Sequence, residues 1–248
     1  MSILDLLFLV LAGFAAGLVG YITGLASVVS YPALLAVGIP PLAANVTNTV
    51  ALVTVGVGSL TRSGKVLLDG DRRPLIACSI AALIGGIIGA VVLLITPPSA
   101  FEVVVPYLVA LAAIALLCQP LLRRLVIGES EERPLAYLLG TLVISVYGGY
   151  FGAGAGIMFL ALALVVTAQP LWRATLTKSV LLGIANTVAA VIFMISGPVH
   201  WSAAAAMAIG CFVGGWCGPP VVRRLPPGPL RIAVGLGGLG LAGWLAFG

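Results

Sequence analysis

Continuous apolar runs about twenty residues long recur from one end of this chain to the other, and a helix of ~20 residues is what the ~30 Å hydrocarbon core of a bilayer requires. Strands of a membrane barrel would instead alternate apolar and polar residues in short segments, and these runs do not. Composition closes the argument. Of 248 residues 61% are hydrophobic and 8% charged, whereas soluble domains carry about 25% charged residues. Twelve Lys and Arg with seven Asp and Glu cannot cover the surface of a soluble protein of this size, and a mean hydropathy of +1.24 excludes disorder. A soluble enzyme and a nucleic-acid-binding module are excluded, and the chain reads as an all-α polytopic membrane protein. The net charge of +5 therefore reports cytoplasmic loops rather than a nucleic-acid partner.

Glycine and cysteine refine this reading. Thirty-two glycines are nearly twice the usual ~7% and imply close helix approach or non-helical backbone within the membrane. Cys78, Cys118, Cys211 and Cys217 all lie in apolar runs and form no CxxC pair, so they read as small packing residues rather than metal or redox groups. The first residues lack the basic region and cleavage site of a signal peptide, so they are expected to stay as the first membrane segment.

Polar and Pro/Gly punctuation divides the chain into Ile3 to Gly38, Leu42 to Thr61, Pro74 to Thr96 and Ala100 to Leu122, then a charged connection, then Leu135 to Ala168, Ala174 to Ser196, Trp201 to Val222 and Leu230 to Phe247. The second series repeats the first. Gly20-Tyr21 matches Gly149-Tyr150, Gly24 matches Gly154, Thr47 matches Thr177, and Gly85-Gly86 with Gly89 matches Gly214-Gly215 with Gly218, all at an offset near 130 residues. The single transmembrane domain thus divides into a repeat over 3–122, a cytoplasmic connection over 123–134 and a repeat over 135–247. Basic residues orient the halves. Arg62, Lys65, Arg72 and Arg73 mark one cytoplasmic loop, and Arg123, Arg124 and Arg133 another; Arg173 with Lys178, and Arg223, Arg224 and Arg231, mark two more. The loop at 197–200, equivalent to 62–73, has no basic residue. Equivalent loops on opposite sides mean two inverted-topology repeats, with both termini outside the cytoplasm.

Inversion requires an odd number of crossings per half. Three single helices per half are clear, so each long first stretch must start and finish on one side. Residues 3–38 make only ~54 Å of helix, short of two crossings and a turn. Each half is therefore expected to hold a glycine-broken hairpin or helix pair plus three transmembrane helices, short tilted helices being the alternative.

The segment Tyr147-Gly-Gly-Tyr-Phe-Gly-Ala-Gly-Ala-Gly-Ile157 has the wrong spacing and context for a nucleotide-binding loop. Two readings stay open for it. Gly148, Gly152 and Gly156 suit close helix packing; alternatively Gly152, Gly154 and Gly156 break a helix whose free N–H groups face an anion. The equivalent tip of the first half offers Thr23, Gly24 and Ser27. Asn45-Val-Thr-Asn-Thr49 and Thr175-Leu-Thr-Lys-Ser179, aligned through Thr47 and Thr177, put polar groups in apolar helices, where each needs a partner. Asn48 joins the candidate set. Lys178 either snorkels to the cytoplasmic face or turns inward to neutralise an anion, with Asn186 two turns on along the same path.

These residues give the chain a resemblance. Ser30-Tyr-Pro-Ala-Leu34 followed by Ala44-Asn-Val-Thr-Asn48, then Gly149-Tyr-Phe-Gly-Ala-Gly-Ala-Gly156, Thr177-Lys178 and Gly197-Pro-Val-His-Trp201, is similar in order and extent to the TauE/SafE sulfite exporter-like permeases. The family's usual GxGGG-like first tip is replaced by Thr23-Gly-Leu-Ala-Ser27, a departure that bears on the substrate more than on the fold. The resemblance implies a secondary transporter of small sulfur-containing anions such as sulfite, thiosulfate or organosulfonates. Alternating access across the repeat interface is the expected mechanism, and the bilayer and a small anion are the expected partners; a homo-oligomer is left open. Intramembrane acidic pairs are missing and the chain has one histidine, so proton relays and enzyme chemistry lack their usual residues, and no cofactor, metal or catalytic residue is expected. The membrane potential favours export of an anion. An accessory membrane subunit is the competing reading, and a membrane-embedded enzyme a weaker one.

Overall fold

The computed structural model describes residues 1–23, 26–63, 73–125, 132–169, 171–222 and 227–247. Ten helices make up the described chain, and no strand occurs among the described residues. They are α1 (Ile3–Thr23), α2 (Ser27–Ala36), α3 (Pro41–Ser63), α4 (Arg73–Ile95), α5 (Pro98–Leu125), α6 (Pro134–Tyr150), α7 (Ala155–Val166), α8 (Leu171–Ser196), α9 (Trp201–Val222) and α10 (Pro227–Phe247). The protein is an all-α bundle. Four of its helices, α1, α4, α5 and α8, are long and apolar enough among the described residues to cross a membrane.

Both long first stretches are broken. The first divides into α1 of 21 residues and α2 of 10, which at 1.5 Å per residue is ~31 Å followed by ~15 Å. The second divides into α6 of 17 residues and α7 of 12, ~25 Å and ~18 Å. Neither α2 nor α7 can span ~30 Å of hydrocarbon. The second break is a hairpin, since Arg133 N–H at the start of α6 donates to the Val166 carbonyl at the end of α7 over 3.0 Å.

Small residues decide how the long helices meet. On α4, Cys78, Ala82, Gly85, Gly86, Gly89 and Ala90 are buried while Ile80, Ile84, Ile87, Ile88 and Val91 are exposed. That is the reverse of a soluble helix and suits lipid outside with close backbone packing inside. A Cβ on Gly85 would stand 2.7 Å from the Leu142 carbonyl oxygen, and one on Gly89 2.7 Å from Tyr150 N. Contacts that advance together in this way make α4 and α6 parallel. The other pair is built alike. Gly13 abuts Met207, Gly17 abuts Cys211 and Gly215, and Gly214 abuts Phe14, so α1 runs parallel to α9. Each half's first helix therefore packs on the third long helix of the other half.

The remaining helices tie these pairs into one core. Helix α3 runs parallel to α9, with Thr47 Oγ1 accepting from His200 N–H at 3.0 Å and Thr54 Oγ1 donating to Ala208 O at 3.3 Å. Its first turns meet the end of α6, where Asn45 bonds Tyr150, and the end of α8, where Gly197 abuts Val46. Helices α5 and α10 pack on each other, Gly235 on Leu117 and Gly238 on Ala113. The core around Tyr31, Leu34, Phe101, Phe151 and Phe193 sits where these ends converge.

Candidate substrate site at the helix breaks

The break after α6 is built by glycine. Tyr147 O takes both Phe151 N–H (2.9 Å) and Gly152 N–H (3.2 Å), closing α6 in a widened last turn of i−4 and i−5 bonds. Gly152 (φ +77°) and Gly154 (φ +84°) then take left-handed backbone, which costs a residue with a Cβ roughly 1–2 kcal/mol. The Tyr147 hydroxyl donates to Ala153 O at 2.5 Å and pins the turn. Helix α7 starts immediately after. Gly154 O accepts from Ile157 and Met158, whereas the N–H groups of Gly154 and Gly156 have no acceptor among the described residues. Free donors at a helix start, reinforced by its dipole, form a small electropositive pole inside an apolar bundle.

Helix α3 brings the two breaks together. Asn48 is 1% exposed. It accepts from Ser30 Oγ at 2.5 Å and donates through Nδ2 to Ser27 Oγ at 3.2 Å, so its amide holds the start of α2. One turn earlier, Asn45 Nδ2 donates to Tyr150 O, the last residue of α6, over 2.8 Å. Three residues are ~4.5 Å of helix rise, so α3 links the first break to the second across less than one turn. Aromatic rings seal the junction. Tyr31 of α2 meets Phe151 edge-on at 5.5 Å, and Phe101 lies 5.9 Å and 6.3 Å from Tyr150 and Phe151.

The candidate residues read from sequence fall into distinct places. Ser27 and Asn48 are in direct contact. Gly152 and Asn186 adjoin, since a Cβ on Gly152 would stand 3.8 Å from Asn186 Oδ1. Gly154 and Gly156 open α7 beside them. Thr47 is turned away to cap the α8–α9 connection at His200. Thr177 Oγ1 donates to Gln169 Oε1 at 3.4 Å, at the α7–α8 connection. Lys178 is 9% exposed and lies eight residues, ~12 Å along α8, before Asn186. Helical spacing places it with Ala174 and Leu181, which pack against Cys78, Tyr137 and Leu160. Thr23 is the last residue of α1, and Gly24 lies outside the described residues, as do the basic connections at 64–72 and 126–131.

Three residues of the junction lie outside the candidate set read from sequence: Ser30, Asn45 and Tyr147. Asn45 reads as a polar group in an apolar helix needing a partner, but not as part of the site. Ser30 lies one turn from Ser27 on the same face of α2, which was a signal for it. Tyr147 offered none, because a tyrosine beside glycines reads as packing.

Comparison with known proteins gives this geometry a family. The family described as sulfite exporter TauE/SafE matches residues 9–245. The chain belongs to the TauE/SafE family. Among its relatives, a protein of Sinorhizobium named "Probable membrane transporter protein ORF9" is 31% identical over 219 residues, covering 86% of this chain and 81% of the relative. "Probable membrane transporter protein YfcA" of Escherichia coli is 29% identical over 219 residues, covering 84% and 77%. A "Probable membrane transporter protein" of Haemophilus influenzae is 26% identical over 227 residues, covering 89% and 86%. No solved structure matches the chain. This TauE/SafE protein is therefore a multi-pass member of a membrane transporter family. Its glycine-broken segment and its Asn45–Asn48 segment both lie within the matched span.

Proposed function

We propose that this TauE/SafE protein is a secondary transporter of small sulfur-containing anions, of the sulfite, thiosulfate or organosulfonate type, working in the export direction. The observation that carries the reading is the α6–α7 break. Two left-handed glycines expose the N–H groups that open α7, beside Asn186 and one helical turn from the Asn48–Ser27–Ser30 group. Backbone N–H groups and hydroxyls suit a small oxyanion, since they donate without burying a full positive charge. Lys178, deeper along α8, supplies a positive charge on the way between the break and the far side of the membrane.

The two halves act as inverted-topology repeats that alternate in opening to either side, with both termini outside. Supporting this, α1, α3 and α9 run in one direction, and α3 starts where α4 and α6 finish. Export follows from the field, because an inside-negative potential of 100 mV drives one negative charge outward by ~2.3 kcal/mol.

The decisive experiment is flux of labelled sulfite, thiosulfate and sulfoacetate from proteoliposomes holding the purified protein. The expected result is saturable flux of at least one of these anions, cut at least tenfold by Lys178→Ala and by Asn48→Ala while both variants remain folded. Wild-type flux in both variants removes these residues from the path, and no flux from the pure protein favours an accessory subunit.

A further inference from the structure

Between the left-handed Gly152 and Gly154 stands Ala153, a residue 4% exposed. Its carbonyl therefore needs a donor inside the bundle, and no backbone N–H among the described residues reaches it. The Ile157 N–H, which would close a regular turn onto Ala153 O, goes instead to Gly154 O at 3.0 Å. The donor that Ala153 O does have is the Tyr147 hydroxyl, at 2.5 Å. This peptide is trans, and a trans peptide sets its C=O and N–H on opposite edges of one plane. Holding the Ala153 carbonyl on Tyr147 therefore holds the Gly154 N–H on the other side, where no acceptor takes it among the described residues. The plane is soft without such a hold. Turning it over carries Gly154 from φ +84° to ordinary negative φ, which glycine adopts as readily.

We infer that Tyr147 is a positioning residue of the anion site: its hydroxyl holds the Ala153–Gly154 peptide with the Gly154 N–H towards the anion, and so sets affinity. Without the hydroxyl the buried carbonyl has no donor, and a half-turn of the plane points that oxygen where the N–H stood. An oxygen there repels the anion that the N–H attracts. Tyrosine suits the task because its ring is anchored elsewhere, packed against the core around Tyr31 and Phe151. One residue fastens both edges of the break. Its carbonyl closes α6 through Phe151 and Gly152 N–H, and its hydroxyl orients the entry to α7. The glycine at 154 belongs to the same device, because a Cβ there disfavours φ +84° and so favours the turned-over plane. The inference rests on the anion-transport reading and deepens it by naming what aims the donor.

The test is the concentration dependence of labelled sulfite, thiosulfate and sulfoacetate flux in proteoliposomes holding the purified full chain. Tyr147→Phe keeps the packed ring and removes only the hydroxyl. It should raise KM about tenfold or more, the loss of one donor to a charged group, and leave maximal flux within about twofold. Gly154→Ala, with the hydroxyl kept, should raise KM likewise. The double variant should be no worse than the poorer single, because both changes turn one peptide. A merely structural role would lower Tm and maximal flux at wild-type KM, and that result overturns the inference while the anion reading stands. A double variant whose KM change is the product of the singles overturns it too. If Tyr147→Phe does not fold, Gly154→Ala tests the same plane: raised KM upholds the inference, and wild-type KM overturns it. No flux of any of the three anions by the wild type overturns the anion reading and this inference with it.

Discussion

Asn48 holds two serines with one amide, and the consequences of losing it are different from those of losing a surface polar group. Ser27 and Ser30 are both buried. Asn48→Ala deletes two bonds and leaves Ser27 Oγ without its amide partner, whereas Ser30 Oγ keeps the Ala26 carbonyl at 3.1 Å. An unpaired buried group costs about 1–3 kcal/mol. Asn48→Ala should lower stability by about 1–3 kcal/mol on that scale, read as a drop of several degrees in Tm in detergent. Asn48→Gln should recover little, because the longer side chain cannot hold both hydroxyls at once. Gly154 fails for a backbone reason. With φ at +84°, Gly154→Ala should cost ~1–2 kcal/mol of strain and misdirect the start of α7, so anion flux should fall further than Tm suggests. Asn48 was legible as a polar residue needing a partner, but its partner was not. Ser30 lies 18 positions away, and the pairing depends on how α2 folds back on α3.

At the level of helices, glycine makes two long parallel contacts possible. Gly17 would put a Cβ 2.5 Å from the Cys211 carbonyl oxygen, while Gly237, Gly240 and Gly243 on α10 face open space. These positions should therefore respond in opposite ways to the same substitution. Gly17→Leu and Gly214→Leu should abolish the folded, monodisperse protein on size exclusion, because backbone cannot give way as a side chain tip can. Gly240→Ala should be neutral or raise stability by up to ~1 kcal/mol through helix propensity. Equal tolerance at Gly17 and Gly240 would remove the glycine seams from the account. The existence of the helix breaks was readable from arithmetic on residues 3–38 and from the glycine run at 148–156. The different lengths of the short arms, α2 of 10 residues and α7 of 12, were not, since both stretches are apolar throughout.

Across the whole molecule, α1 packs on α9 and α4 on α6, so each tight unit draws on both halves of the chain. Neither half can fold its glycine faces alone. Residues 1–125 expressed without the remainder should fail to give a stable membrane protein, whereas co-expression with 132–248 should restore a complex; a stable, well-folded first half on its own refutes this interdependence. Topology is tested separately. Single cysteines placed at 66 and at 199, in a background free of the four native cysteines, should label from opposite sides of intact cells. Labelling from a common side would leave the parallel glycine seams standing and remove the inverted-repeat mechanism.

Apolar run length, glycine density and the scarcity of charge were enough to establish a helical membrane protein and its punctuation, because the bilayer imposes length and hydrophobicity on each helix separately. Which helices pair, and which polar groups converge, was decided only in three dimensions. Lipid is as apolar as the side chains facing it, so hydrophobicity carries no information about partners inside a membrane. The specificity comes from where backbones can touch and where buried amides find hydroxyls, as Gly89 does with Tyr150 and Asn48 with Ser27 and Ser30, and those meetings join residues far apart along the chain.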